Sequence, residues 1–246
     1  MSNMENTKNI STKKELRAQE REKLMEETNK VLQIEKWKRY GVWSLVIISV
    51  AVLFTGVFNL VGNSISKEEN KPTISSDDRV KGNTASQIVV MEYSDYQCPA
   101  CKYYQSIANQ LTTEYKDKIV FVYRHFPLEQ HKNAEKAAYT AEAAGLQGKF
   151  WEMSDLLFEK QEEWSEKSNS EEIFKSYASK LGLDPKKFTD DIISSGVKEK
   201  VDRDRQSGKI IGVNATPTFY LNGVKLRYIR NYDDFKKIVE EKLQSQ

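Results

Sequence analysis

Polar and apolar positions divide the chain into four stretches. Residues 1–40 are polar and rich in Lys, Glu and Gln, with thin apolar content at Leu16, Leu24, Val31, Leu32 and Ile34. No heptad is sustained there, so the pattern predicts a solvated or membrane-surface helix rather than a coiled coil. The 22 positions from Gly41 to Gly62 carry no charged residue. At helical rise they extend about 33 Å, enough to cross a bilayer core. A buried core helix of that length would more often show a polar stripe. Residues 63–84 read as a linker punctuated by Ser64, Ser66, Asn70, Pro72, Ser75, Ser76, Gly82 and Asn83.

From residue 85 the periodicities of a folded domain begin. Residues 87–93 predict a short buried strand, and Ala100, Tyr104, Ile107, Ala108, Leu111 and Tyr115 recur at helical spacing up to about Lys116. Residues 118–125 contain the continuous apolar run of a central strand, which completes a βαβ unit. A helical block follows over about 129–211. An alanine-rich segment, 134–144, stops at Gly145, and an amphipathic one, 150–158, presents Phe150, Trp151, Met153 and Leu157. Asn169 and Ser170 precede a further helical run, and Asp184-Pro185 predicts an N-cap with Pro at the first helical position. Thr218-Phe219-Tyr220-Leu221 resumes the sheet. Asn222-Gly223 predicts a type I′ hairpin into 224–228, and 233–243 a closing helix packed through Phe235, Ile238, Val239 and Leu243.

Charge orients this arrangement. The net charge of +2 and the lack of a sustained basic stripe argue against a nucleic-acid partner. Residues 1–40 hold ten Lys or Arg against seven Asp or Glu, and Lys36, Lys38 and Arg39 abut the apolar span. The positive-inside rule then places the N-terminus in the cytoplasm and everything after Gly62 outside it. A cleaved signal peptide would have a much shorter charged region, and no clear small-x-small cleavage site follows Phe58, so an uncleaved single-pass anchor in the cell membrane is expected. One anchor and 29 Lys against 9 Arg suggest a bacterium with a single membrane.

Cys98 and Cys101 are the only cysteines. A bridge across so short a loop restricts the unfolded chain little, which turns attention from stapling to thiol chemistry. Pro99 suits a first helical turn, so Cys98 falls at a strand-to-helix turn on the positive end of a helix dipole. That position lowers a thiol pKa and favours the nucleophilic thiolate. Export agrees with disulfide chemistry.

Glu92, six residues earlier in an apolar run, is a candidate buried carboxyl whose pKa burial would raise; the competing reading is an exposed edge-strand glutamate. Asp95 is expected to cap the helix. His125 and His131 could join the cysteines in a zinc site, but the 23 residues between Cys101 and His125 exceed the usual finger spacing, and no metal is expected. His125 then reads as structural and His131 as a surface residue. Tyr93, Tyr96, Tyr103, Tyr104 and Trp151 fit core and rim packing better than an aromatic groove. Asn214-Ala215-Thr216 matches a glycosylation sequon, but Pro217 follows it and disfavours modification.

Three segments in order resemble the DsbA-like thiol–disulfide oxidoreductases: Glu92-Tyr93-Ser94-Asp95-Tyr96-Gln97-Cys98-Pro99-Ala100-Cys101, Tyr123-Arg124-His125-Phe126-Pro127-Leu128, and Gly212-Val213-Asn214-Ala215-Thr216-Pro217-Thr218-Phe219. The resemblance covers about residues 85–244. It implies an α/β thioredoxin fold with an inserted helical subdomain, spanning 85–246 behind the membrane helix and linker. By this resemblance Cys98 is the exposed attacking thiol and Cys101 its buried partner. Glu92 carries the proton for Cys101, Pro217 is cis and faces the cysteines, and the Thr216 backbone pairs with an extended substrate. The Pro-Ala dipeptide lacks the histidine of the family's best-known strong oxidant, and Thr before the cis-proline is shared with reductases. The implied activity is introduction of disulfides into exported, unfolded polypeptides with cysteines. No cofactor is required, and a quinone-linked membrane protein acts as reoxidant. A reductase or isomerase of the same fold, and a non-catalytic chaperone or binding module, are the alternatives.

Overall fold

A computed structural model of the chain describes residues 73–245 without a break and, before them, only positions 25, 30, 37, 38, 41, 47–53 and 55. The chain divides into two units, Met1–Glu69 and Asn70–Gln246. Every described position of the first unit is helical. Most of the polar tail over 1–40, most of the membrane helix expected over 41–62 and the first half of the linker lie outside the described residues. Among the described residues no helix is long and apolar enough to cross a membrane.

The second unit contains five strands: β1 (Arg79–Gly82), β2 (Val89–Ser94), β3 (Val120–His125), β4 (Thr218–Leu221) and β5 (Val224–Lys225). Its helices are α1 (Pro99–Glu114), α2 (Ala134–Gly145), α3 (Phe150–Glu159), α4 (Gln161–Trp164), α5 (Ser170–Lys180), α6 (Pro185–Ile193), α7 (Ser195–Ile210) and α8 (Tyr232–Gln244). The strands form one sheet in the order β1-β3-β2-β4-β5. β2 and β3 are parallel, joined through α1, while β1 against β3, β4 against β2 and β5 against β4 are antiparallel. This is the thioredoxin-type α/β arrangement with helices α2 to α7 inserted between β3 and β4.

Strand alternation sends the side chains of β2 to two different cores. Val90 joins Phe121, Tyr123, Phe219 and Leu221 in the larger core, together with Leu111 of α1, Leu157 of α3 and Phe235 of α8. Met91 and Tyr93 join Val120, Val122, Phe126 and Tyr220 on the opposite face. β2 is thus the middle strand, covered on both faces, and Glu92 belongs to it.

Local sequence explains most of the boundaries. The Asp184 carboxylate accepts the Lys187 N–H at 2.6 Å, which caps α6 as Asp-Pro suggested. Asn222 and Gly223 have φ of 47° and 80°, the left-handed pair that a type I′ turn needs. Asn222 also ties the hairpin to β2, since its side-chain oxygen accepts the Val89 N–H at 2.7 Å.

Two elements differ from expectation, and a third lies in the expected helical block without a pattern of its own. Residues 79–82, expected in the linker, form β1, so the domain begins before residue 85. Val80 is its only large apolar side chain, which left no hydrophobic signal. Arg79 reaches Glu142, and the neighbouring Asp78 pairs with Arg124 at 2.7 Å. The return strand β5 stops at Lys225 instead of 228, because the Tyr104 and Tyr103 hydroxyls capture the Ile229 and Arg230 carbonyls. Finally, α7 had no clear apolar stripe: its buried face is Val197, Lys200, Val201, Asp204 and Gly208. Lys200 and Asp204 form an ion pair within that face, and Asp204 also accepts the His125 backbone N–H at 3.0 Å.

Gly208 lies where α7 meets the smaller core. A Cβ there would stand 2.7 Å from the Phe126 ring and 3.0 Å from Tyr93. Gly→Ala in a helix interior ordinarily gains about 1 kcal/mol. Here Gly208→Ala should instead destabilise by about 1–3 kcal/mol through overpacking, read as a lower guanidinium midpoint at unchanged m-value.

Candidate active site

The turn between β2 and α1 carries the two cysteines, both free thiols. Two of its backbone amides are held by Asp95. The Asp95 carboxylate accepts the Gln97 N–H at 2.7 Å, and the Asp95 carbonyl accepts the Cys98 N–H at 3.1 Å. Cys98 is the N-cap of α1 in extended conformation, and Pro99 opens the helix without an N–H to satisfy. The free amides of the first turn therefore surround the Cys98 sulfur.

Cys98 is 7% exposed and Cys101 fully covered. The sequence led us to expect an exposed Cys98. Its sulfur instead lies 3.4 Å from the Thr216 carbonyl oxygen, under the loop whose Thr216–Pro217 bond is cis. The structure thus brings Cys98, Cys101, Thr216 and Pro217 together as the three sequence segments implied.

Electrostatics separate the two thiols. The Cys98 pKa is lowered to about 5, first by the hydrogen bond from the Cys101 thiol, against its own burial, and further by the N–H groups of Cys101 and Ala100 and by Thr216. Burial pushes Cys101 well above the ordinary thiol value, helped by its bond to Cys98 and the charge of Glu92. In the reduced pair these opposite shifts favour a thiolate at Cys98 and a thiol at Cys101.

Glu92 is 1% exposed, and neither carboxylate oxygen has a hydrogen-bond partner among the described residues. Burial raises its pKa to about 7, with Ser94 opposing and the charge on Cys98 adding to the rise. Flanked by Tyr123 of β3 and Phe219 of β4, it occupies the middle of the sheet, which rules out the edge-strand reading. A carboxyl titrating near neutrality beside a high-pKa thiol can exchange a proton with it.

Asp95 does not cap α1 as expected. Its second oxygen accepts the Leu128 N–H at 2.9 Å and lies 2.7 Å from His131 Nδ1, so His131 is tied to the active-site turn. His125 is buried against Glu142 at 2.9 Å, and there Arg79 and His125 overcome burial to hold Glu142 down to about 2. Among the described residues no group of three His, Cys, Asp or Glu could hold a metal ion. Tyr93 and Tyr96 are core residues, Tyr104 and Trp151 pack partly against the core, and Tyr103 is 53% exposed. Sequence reasoning missed Gln97, Asn133 and Gln161, amide side chains buried around the turn, because a lone buried amide leaves no periodic signal.

Two measurements test this electrostatic picture. Alkylation of the reduced chain by iodoacetamide should reach half its maximal rate near pH 5 at Cys98 and leave Cys101 unmodified by mass spectrometry. For Glu92, a folded pKa of about 7 against the ordinary 4.5 makes stability full below pH 4.5 and progressively lost as pH rises through 7. Glu92→Gln should therefore be close to neutral at about pH 4 and stabilise by about 3 kcal/mol at about pH 8, measured by denaturant unfolding.

Comparison with known proteins places this geometry. The family model described as thioredoxin matches residues 75–241. The Na(+)/H(+) antiporter NhaA 1 of Mycolicibacterium vanbaalenii is 36% identical over 160 residues, which are 63% of this chain and 25% of that protein. The Na(+)/H(+) antiporter NhaA of Herminiimonas arsenicoxydans is 35% identical over 150 residues, 61% of this chain and 23% of that one. The match therefore spans about a quarter of the length of these curated relatives. Among solved structures, oxidised BdbD from Bacillus subtilis superposes with a TM-score of 0.63 at 23% identity, covering 71% of this chain and 97% of that one. The alpha-DsbA1 of Wolbachia pipientis gives 0.62 at 20% identity, covering 68% and 92%. At these identities the structures share the fold, and the family match extends over most of the described domain. The chain belongs to the thioredoxin family.

Proposed function

We propose that this protein is a membrane-anchored thiol–disulfide oxidoreductase of the DsbA type, which oxidises cysteine pairs in exported polypeptides. The observation that carries the reading is the geometry of the pair: Cys98 at the N-cap of α1, Cys101 fully buried one turn on, and the cis Thr216–Pro217 loop lying against the Cys98 sulfur, a setting that lowers the Cys98 pKa and raises that of Cys101. A depressed nucleophile pKa stabilises the reduced form, which makes the disulfide the stronger oxidant. That argument favours oxidation over reduction or isomerisation.

The reaction balances through a mixed disulfide. A client thiolate attacks Cys98 Sγ of the Cys98–Cys101 disulfide, and Cys101 leaves as the thiolate, drawing a proton from Glu92. The client's second thiolate then attacks its own mixed sulfur and releases Cys98 as the stabilised thiolate. Two electrons pass from the client dithiol to the enzyme pair. A quinone-linked membrane partner would accept them to restore the disulfide. The client would dock as an extended segment along the Thr216 backbone, whose carbonyl lies 3.4 Å from the Cys98 sulfur. A cleft of about 180 Å³ beside Pro217, lined by Tyr104, Phe219, Leu226 and Tyr228, adjoins that path. Residues 41–62 would hold the domain outside the cytoplasmic membrane.

The deciding measurement is the reduction potential of the full chain equilibrated with glutathione. A value toward about −120 mV is expected for an oxidase, whereas about −270 mV would reverse the direction. Cys98→Ser should abolish oxidation of a dithiol peptide; persistence of binding to unfolded chains without loss of function would instead identify a holdase. In intact cells, reduced Cys98 should react with a membrane-impermeant maleimide, and protection until lysis would overturn the outward orientation.

A further inference from the structure

The short helix α4 and the residues after it form a rigid platform against the active-site turn. Trp164 is fully buried and its indole N–H donates to the Leu157 carbonyl at 2.9 Å. The Asn133 side-chain amide shares its two hydrogens among the carbonyls of Trp164, Ser165 and Lys167, at 2.8–3.2 Å. Gln97 completes the seam from the other side: its amide donates to the Ser165 carbonyl at 2.8 Å and accepts the Asn133 N–H at 2.8 Å.

From this platform one side chain reaches the nucleophile itself. Gln161, 5% exposed, donates from Nε2 to the Tyr96 carbonyl at 2.7 Å and to the Cys98 carbonyl at 3.0 Å. Both hydrogens of the amide are thereby used. The Cys98 carbonyl also accepts the Lys102 N–H at 3.2 Å, the bond that closes the first turn of α1. The peptide that links the nucleophile to its helix is thus held from two sides, by the helix and by the insertion.

We propose that Gln161 is a positioning residue for the Cys98 thiolate: by fixing the Cys98 carbonyl it keeps the first-turn amides of α1 aimed at the sulfur. Stabilisation of an anion by backbone N–H groups depends on their being held in place beforehand, because amides free to turn must be reorganised as the charge forms. Without Gln161 two buried carbonyls lose a donor and the turn relaxes toward whatever satisfies them. The cost would fall selectively on the charged state of Cys98. The helical insertion would then act as part of the redox site rather than as a cover over it.

This inference rests on the redox reading above, and the test separates the two. Gln161→Met keeps length and removes both donors. In the full chain, the thiolate absorbance near 240 nm would be followed against pH, and the glutathione equilibrium measured beside it. The expected result is a rise in the Cys98 titration midpoint of about one unit, with an equilibrium about tenfold less oxidising, equal to about 30 mV. Tyr177→Phe removes the hydroxyl bond to Glu163 on the same short helix without touching the turn. It should leave both readouts within about twofold of the unsubstituted chain. If Gln161→Met also stays within that range, or if both variants shift alike, the positioning role is overturned. Should the unsubstituted chain show no thiolate transition and no exchange with glutathione, the redox reading itself fails. If Gln161→Met does not fold, Gln161→Leu serves in its place: it too has no donor for either carbonyl and adds no charge, and the same rise is expected.

Discussion

The N-terminus of α1 is set against the central strand by a four-residue turn, and the chemistry of the domain follows from how completely that turn is tied down. Asp95 holds two of its amides, and Gln161 holds two of its carbonyls. A helix start offers amides to an anion only when the chain around it cannot move to use them otherwise. Here it cannot, and the Cys101 thiol first and these amides after it bring the pKa of Cys98 down to about 5 even though the sulfur is largely buried. Burial alone would have had the opposite effect, as it does three residues later at Cys101.

The same low-dielectric environment sets the third titrating group. Glu92 sits between β3 and β4 without a hydrogen-bond partner among the described residues, an arrangement that stability alone would not favour. Elsewhere in the domain buried charges are matched: Arg124 with Asp78, Lys200 with Asp204, Glu142 with both Arg79 and His125. The contrast between a matched interior and one unmatched carboxyl beside the thiols marks where function outweighs packing. The matched pairs also explain how β1 and α7, both poor in apolar residues, join the fold at all.

The helical insertion contributes twice. Its large apolar side chains, Phe158, Trp164, Phe174 and Phe188, extend the core beyond what the strands and α1 could bury. Its Gln161 side chain reaches back to the turn, and the backbone N–H of Asn133 meets the Gln97 side chain there. A region that covers the sheet and also fixes the nucleophile couples the stability of the insertion to the reactivity of Cys98.

Much of this was legible in the sequence. The continuous apolar run of β3, the helical recurrence from Ala100 to Tyr115, the Asp184 cap and the Asn222-Gly223 turn are local signals, carried by neighbouring residues, and each reappears in the structure. Two cysteines at one strand-to-helix turn determined by themselves where to look for chemistry. What only the tertiary structure decided depends on residues far apart in the chain. That Glu92 lies in the middle strand needs β4 to pair on its far side, and that Cys98 is covered needs Thr216 to fold across it. β1 and α7 are held by ion pairs and a close glycine contact rather than by an apolar stripe, and Gln161 meets the turn 63 residues away through two hydrogen bonds. Hydrophobic periodicity records which face of an element is buried; it carries no record of which polar group will meet which across the fold.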